Sequence, residues 1–187
     1  MRIEEEFCMR SYPNAAQGLK LLFIAEIVAI AAAVLSLLPV VGAILYIVGL
    51  VLVLVGLHKA GADDAGYKTA FTISIVNLVV GVISGFTGGV ISTILSIVSI
   101  ILDLIVVYYV VNTTANLARS RGDSELAAKG EKVWKLYLAC AVINVIASLL
   151  SFIPILAAVL AIVLLVVQII AYILYLIFLN KAPKTLA

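Results

Sequence analysis

Residues 20–39 read KLLFIAEIVAIAAAVLSLLP, an apolar run that begins at a lysine and ends at a proline. Residues 135–154 follow the same pattern without gaps, as KLYLACAVINVIASLLSFIP. A third copy starts at residue 68 as KTAFTISIVNLVVGVISGFT, with threonine where the other two carry proline. Each copy has the length of a helix that crosses the hydrocarbon core of a bilayer. We interpret the three copies as the first helices of three internal repeats.

A tight turn and a second apolar run follow each copy, so the sequence predicts six spans, at 18–38, 41–57, 68–87, 90–111, 133–153 and 155–179. The second runs end at similar signatures, LHKA (57–60), VNTT (111–114) and LNKA (179–182). The predicted repeats are 18–60, 66–115 and 133–182. Because each repeat contains two spans, all three point the same way through the membrane. The predicted fold is an all-α membrane protein, with six transmembrane helices arranged as three parallel tandem hairpin repeats in one compact bundle.

Composition supports membrane insertion and the distribution of charge predicts its direction. The chain is 65% apolar and 12% charged, whereas a soluble domain is about 25% charged. All twelve Lys and Arg residues fall on one side of the six-span layout: Arg2, Arg10, Lys20, Lys59, Lys68, Arg119, Arg121, Lys129, Lys132, Lys135, Lys181 and Lys184. Cytoplasmic loops collect these residues. We therefore predict a multi-pass protein of the cell membrane, with a cytoplasmic segment 1–17, a transmembrane domain 18–180 and a cytoplasmic tail 181–187.

Polar residues within the spans fall in register when the repeats are aligned. Spacings of three and four keep each set on one helical face: Glu26–Ala29–Ala33–Ser36, Ser74–Asn77–Gly81–Ser84 and Ala141–Asn144–Ser148–Ser151. The fourth span adds Asp103, and the sixth carries Gln168, Tyr172 and Tyr175 on one face. Ionisable side chains in a span are costly and often functional, but a protonated carboxyl group bonded to Asn or Ser also joins helices. The candidate binding layer is Asp103, Glu26, Asn77, Asn144 and Gln168.

Small residues mark candidate helix-packing faces. Glycines recur every seven residues in the second span, at Gly42, Gly49 and Gly56, and alanines every four in the first, at Ala25, Ala29 and Ala33. Such faces allow two helices to approach closely in a membrane. They would serve either packing within the chain or the docking of a membrane protein partner or a second copy.

The cytoplasmic links carry further expectations. The Gly- and Asp-rich loop 58–67 is expected to cap the third span, and residues 115–135 to be partly helical, with Trp134 and Tyr137 at the headgroup boundary. His58 is expected at a helix end, where a cation suits the last carbonyl groups. Cys8 and Cys140 lie in different environments, so no disulfide is expected.

Several function classes lack their residues. One histidine and two cysteines do not supply a zinc site, and no Ser-centred elbow or phosphate-binding glycine loop occurs. A net charge of +2 with interleaved acidic residues does not indicate nucleic-acid binding. We predict no enzyme activity, no cofactor and no metal, with the lipid bilayer as the environment of the chain.

The hairpin repeats with cytoplasmic links resemble uncharacterised small six-span integral membrane proteins of bacteria, a resemblance that implies no activity. In size, span count and the Ala25–Ala29–Ala33 spacing, the chain is also similar to substrate-binding subunits of energy-coupling-factor transporters. That similarity implies docking on a membrane partner through the first helix, although the repeats and short outer loops differ from that family. Mitochondrial carriers also contain three tandem hairpins, and they place acidic and basic residues after the proline of each repeat. Pro39 and Pro154 are not followed by such residues, so the chain does not fit that family.

Two functions remain open at this stage. The first is transport of a small solute or ion, as a channel, carrier or substrate-capturing subunit, with the polar layer as its site. The second is a non-transporting membrane subunit or regulator that docks a partner through the small-residue faces. Both hypotheses use the Ala29–Ala33 face.

Overall fold

The computed structural model describes the backbone of residues 11–149 and 154–187, and their side chains except at residues 36, 39, 148, 149 and 154–161. These ranges form six long helices: α1 (Pro13–Val34), α2 (Pro39–Ala60), α3 (Ala65–Phe86), α4 (Gly89–Ser120), α5 (Ser124–Leu149) and α6 (Pro154–Leu186). A 3-10 turn, Leu35–Leu37, precedes α2. The all-α prediction is confirmed for these ranges. The predicted segment 1–17 is described from residue 11 onwards, and Cys8 and residues 151–153 of the third outer turn lie outside the described residues.

Five helical segments are long and apolar enough to cross a membrane: Pro13–Val34, Val40–Ala60, Ala65–Phe86, Gly89–Ser120 and Ile162–Leu186, counted over the described residues. The α5 helix carries five charged residues in its first half, Glu125, Lys129, Glu131, Lys132 and Lys135, and the side chains at the end of its apolar half lie outside the described residues. The sixth crossing therefore stays a prediction. Large apolar side chains point away from the protein on these helices, among them Phe86, Val90 and Ile162, which are 88%, 76% and 67% exposed. Lipid is the solvent that suits such a surface.

Two helices are longer than the predicted spans, one at its start and the other at its end. The α1 helix starts at Pro13, five residues before the predicted span, because proline at the first helical position needs no hydrogen-bond partner for its nitrogen. The α4 helix ends at Ser120 rather than near residue 111. Gly122, whose φ is +79°, then turns the chain into α5. The prediction that residues 115–135 are partly helical is confirmed.

The six helices form a closed ring in chain order. Each packs against the next, and α6 returns to pack against α1. Neighbouring helices run antiparallel, as pairs of contacts at different heights show. In α1 and α2, Gly18 lies against Gly56 and Ala25 against Gly49. In α3 and α4, Tyr67 bonds to Thr114 and Asn77 to Asp103. A hydrogen bond of 2.9 Å from the Tyr12 backbone N–H to the Leu186 carbonyl oxygen joins the two ends of the ring. The three predicted hairpins require neighbouring helices to alternate in direction, as they do here. This alternation does not show that the two helices of each hairpin pack in the same way in all three.

The apolar core lies at one end of the ring, where the α2–α3 and α4–α5 loops are found. Its largest members are Leu19, Leu57, Tyr67, Leu126, Phe178 and Leu179, none more than 2% exposed. The buried Tyr67 hydroxyl shares a hydrogen bond of 2.7 Å with the Thr114 hydroxyl. By contrast, none of residues 71–109 is buried. The ring is therefore tightly packed at the end that carries the loops and loosely packed along α3 and the first two thirds of α4.

Two consecutive aspartates hold the helices at the packed end. Asp64 is the N-cap of α3, and its Oδ1 accepts a hydrogen bond from the Gly66 N–H at 2.7 Å. Asp63 reaches the start of α1, where its carboxyl group accepts from the Asn14 side chain at 2.8 Å and the Ala15 N–H at 2.7 Å. The prediction that this loop caps the third span is confirmed. The same loop also caps the first helix, which the sequence does not indicate.

A third aspartate performs the same task for α5 and ties it to α6. Asp123 accepts from the Leu126 N–H at 2.8 Å and from the Thr185 hydroxyl at 2.9 Å. The Leu126 hydrogen bond holds the pKa of the Asp123 carboxyl below its ordinary value, and Thr185, Lys129 and Lys181 act in the same direction. The ionised carboxylate therefore fastens the start of α5 to the end of α6 at neutral pH.

Candidate functional site

A cavity of about 810 Å³ lies inside the ring, with residues from all six helices in its wall. The five residues of the predicted polar layer all line it: Glu26, Asn77, Asp103, Asn144 and Gln168. Leu22, Leu57, Val110 and Tyr175, which belong to or adjoin the packed end, form its floor. A cavity of this size accommodates an organic molecule rather than a single dehydrated ion.

Asp103 is held in a short chain of hydrogen bonds between α3 and α4. The Asn77 amide donates to Asp103 Oδ1 at 2.5 Å, and the Ser99 hydroxyl donates to Asn77 Oδ1 at 2.6 Å. All three side chains line the cavity. The amide thus orients the carboxyl group without supplying a compensating positive charge.

Glu26 is held on the opposite side of the ring, between α1 and α6. The Tyr172 hydroxyl lies 2.6 Å from Glu26 Oε2 and 2.9 Å from the Glu26 carbonyl oxygen. A phenol has one proton to donate, so the Tyr172 hydroxyl donates a full hydrogen bond to only one of these two oxygens at a time. The Asp103 and Glu26 carboxyl groups line the same cavity. The structure therefore places two acidic groups in one cavity, each with a neutral donor.

The other two predicted residues lie in the wall without joining either of these pairs directly. The Asn144 amide donates to the Cys140 carbonyl oxygen of its own helix at 3.1 Å. Gln168 is exposed to the cavity on the same face of α6 as Tyr172 and Tyr175. The five predicted residues thus share one cavity.

The charged residue types in the cavity wall are all acidic. Among the described residues that line it, Glu26 and Asp103 are the charged types, and no Lys, Arg or His accompanies them. His58 lies in the last turn of α2, with its ring 5.4 Å from that of Phe71. No group of three or more metal-ligating side chains occurs among the described residues. The cavity is therefore an acidic, mostly apolar chamber.

The small-residue faces of α1 and α2 pack against each other. A methyl group built at Gly49 would lie 3.6 Å from the Ala25 carbonyl oxygen and 3.9 Å from the Ala29 nitrogen. One built at Gly56 would meet the Gly18 carbonyl oxygen at 2.8 Å. Gly42 and Ala25 are buried, whereas Ala29 and Ala33 are exposed, and Ala29 lines the cavity. Gly18, which the seven-residue pattern did not include, makes the closest approach between α1 and α2: a methyl group there would lie 2.4 Å from the Gly56 carbonyl oxygen.

The sequence did not single out the aromatic surroundings of Glu26. Tyr137 and Tyr175 line the cavity together with Glu26, and their ring centroids lie 5.5 Å apart. Tyr137 was expected at the headgroup boundary. The shared face of Tyr172 and Tyr175 was visible as a spacing of three, but no pattern relates the sixth helix to the first.

The comparisons with known proteins give no assignment: no family model, no curated protein and no solved structure matches the chain. The function must therefore be argued from the cavity and its residues.

Proposed function

We propose that the protein is a membrane transport protein for a small solute or ion, and that the central cavity is its binding site. The observation that carries this proposal is a chamber enclosed by six helices with two carboxyl groups in its wall. Charged groups at this position cost several kcal/mol to bury and are retained where a solute or ion passes. Bundles built from repeats also place such sites between their helices. Neither carboxyl group has a cationic partner in the described wall.

The proposal includes an orientation. It places six spans in the cell membrane, as three hairpins of one direction, with the packed end and both termini in the cytoplasm. Every Lys and Arg of the described chain belongs to that end, which agrees with the rule that cytoplasmic segments are basic.

Cysteine labelling tests this orientation. With Cys8 replaced by serine, Ala62→Cys and Ser124→Cys are expected to resist a membrane-impermeant maleimide in intact cells, whereas Gly88→Cys is expected to react. All three positions are exposed, so accessibility within the protein does not differ. Labelling of Ala62→Cys and Ser124→Cys on opposite sides of the membrane would contradict the six-span arrangement.

Docking of a membrane partner is the second candidate, and it ranks below transport. Ala25, Gly49 and Gly56, three of the six small residues on which it rests, already pack between α1 and α2 of one chain. The exposed Ala33 supports it, whereas the exposed side of Ala29 lines the cavity.

Flux through proteoliposomes tests transport. Uptake of rubidium, choline, alanine and glucose, measured with radioactive tracers, covers an inorganic cation, an organic cation, a zwitterion and a neutral solute. We expect at least one to enter faster than into empty liposomes, and the Glu26→Gln/Asp103→Asn variant to lose at least nine tenths of that excess. Loss of the cavity carboxylates removes the charge while the side chains keep their size. Flux unchanged in the double variant, or none above empty liposomes, contradicts the proposal.

A further inference from the structure

The surroundings of Glu26 identify a class of solute, and this inference rests on the cavity being the site of the proposed function. Glu26 accepts a hydrogen bond from Tyr172, and Tyr137 and Tyr175 line the same cavity as Glu26. Tyr172 fills one acceptor position on a group that offers about four. No other described residue donates to this carboxyl group. The site therefore combines an incompletely satisfied carboxylate with three aromatic rings.

This combination suits an ammonium head. Aromatic faces attract cations, and quaternary ammonium groups are held in proteins by clustered aromatic rings. The Tyr137 and Tyr175 rings meet edge to face, at an interplanar angle of 65°, so one ring presents its face where the other presents its edge. Asp103, in contrast, is surrounded by the polar side chains of Asn77 and Ser99. The two acidic groups of the cavity are thus chemically different.

The rest of the wall disfavours a bare metal ion. Hard cations such as calcium require about six to eight oxygen ligands at short distance. The carboxyl groups here come from opposite sides of the ring, and leucine, valine and alanine make up most of the surface between them. A cation with an apolar body would neutralise the acidic charge and cover that surface in one step.

We propose that the cavity binds an organic cation, with its ammonium head at Glu26, Tyr137, Tyr172 and Tyr175 and its apolar body against the aliphatic wall. The ammonium head supplies a positive charge next to Glu26, which no Lys, Arg or His of the described wall provides. The volume of about 810 Å³ leaves room for a body of several carbon groups beside it.

Equilibrium binding tests this inference separately from flux. The probe is tritiated benzyltrimethylammonium, whose charge does not change with pH, and the protein is the full chain in nanodiscs. We expect saturable binding that choline displaces and that its neutral carbon analogue, 3,3-dimethylbutan-1-ol, does not. The analogue has the shape of choline without its charge. Equal displacement by both compounds would overturn the inference.

Three variants assign the head position. Glu26→Gln is expected to weaken binding of the probe at least tenfold, and Tyr137→Leu several-fold, because it removes a ring and leaves the carboxylate. Asp103→Asn is expected to weaken it less than Glu26→Gln does. Glu131→Gln, an equal change of charge on the outer surface, is the control and should bind as the unaltered chain. Retained affinity in both Glu26→Gln and Tyr137→Leu, or a larger loss in Asp103→Asn, overturns the assignment.

The outcomes also separate the inference from the proposed function. Flux of alanine or glucose without binding of benzyltrimethylammonium leaves transport standing and refutes an organic cation as the solute. Binding of the probe without flux of any tracer supports the ammonium site and refutes transport.

Discussion

Replacing Gly18 with alanine is expected to lower the free energy of unfolding by about 2 kcal/mol, although alanine normally stabilises a helix relative to glycine. The added methyl group would lie 2.4 Å from the Gly56 carbonyl oxygen, 2.7 Å from the Ala60 Cβ and 2.8 Å from the Ala60 nitrogen. Two of these three atoms belong to the backbone, so relief requires α1 and α2 to separate. Their separation would loosen the most closely apposed pair of helices in the ring.

Cys140 provides the measurement. This free cysteine is buried, at 6% exposure, so a thiol-reactive fluorescent dye reports its release on heating once Cys8 is replaced by serine. The matched control is Gly81→Ala, because a methyl group there meets no atom within 4 Å. We expect the melting temperature to fall by several degrees for Gly18→Ala and to stay or rise for Gly81→Ala. Equal melting of the two variants would show that the close approach of α1 and α2 does not matter for stability.

The second large effect is expected from filling the cavity. Gly81→Trp would place an indole in the cavity from α3, at a position where an added Cβ meets no atom within 4 Å, and is expected to abolish the flux proposed for the unaltered chain. Solute and indole would compete for the same space. The protein is expected to fold, because Gly81 is exposed and an added Cβ there meets no atom within 4 Å. Tracer uptake into proteoliposomes is the measurement, with the melting curve of Cys140 as the test of folding.

Val79→Trp is the control for the indole itself. Val79 lies two residues away on the same helix, is 52% exposed and does not line the cavity, so its replacement would face outward. Flux should persist in this variant. Should Gly81→Trp transport as well as Val79→Trp, the cavity is not on the route of the solute.

The secondary structure follows from the sequence because lipid leaves backbone groups no partner except one another, so apolar runs of this length form helices. The caps were readable in part. Asp64 precedes its helix and satisfies a neighbouring N–H, a local pattern, whereas Asp63 reaches a helix 48 residues earlier. The spacing of residues within one segment of the chain cannot reveal a contact between residues so far apart in sequence.

The candidate site was predictable to a similar degree. Periodicity placed Asn77 and Asp103 on inward faces, and the structure joins them because their helices are consecutive in the chain. The Glu26–Tyr172 hydrogen bond depends on the ring closing between the first helix and the last. Closure is a property of the whole bundle, so no local pattern of residues encodes it. The aromatic character of the Glu26 side was missed for the same reason.

The unequal packing along the ring has a consequence for the path of a solute. Parting α3 from α4 beyond the cavity would exchange protein contacts for lipid contacts at little cost, since residues 71–109 contain no buried side chain. Opening the other end would instead expose Tyr67, Phe178 and the Tyr67–Thr114 hydrogen bond to a new solvent. Among the described residues, the ring is therefore easiest to open on the side remote from the basic loops, and we expect a solute to reach the cavity from that side.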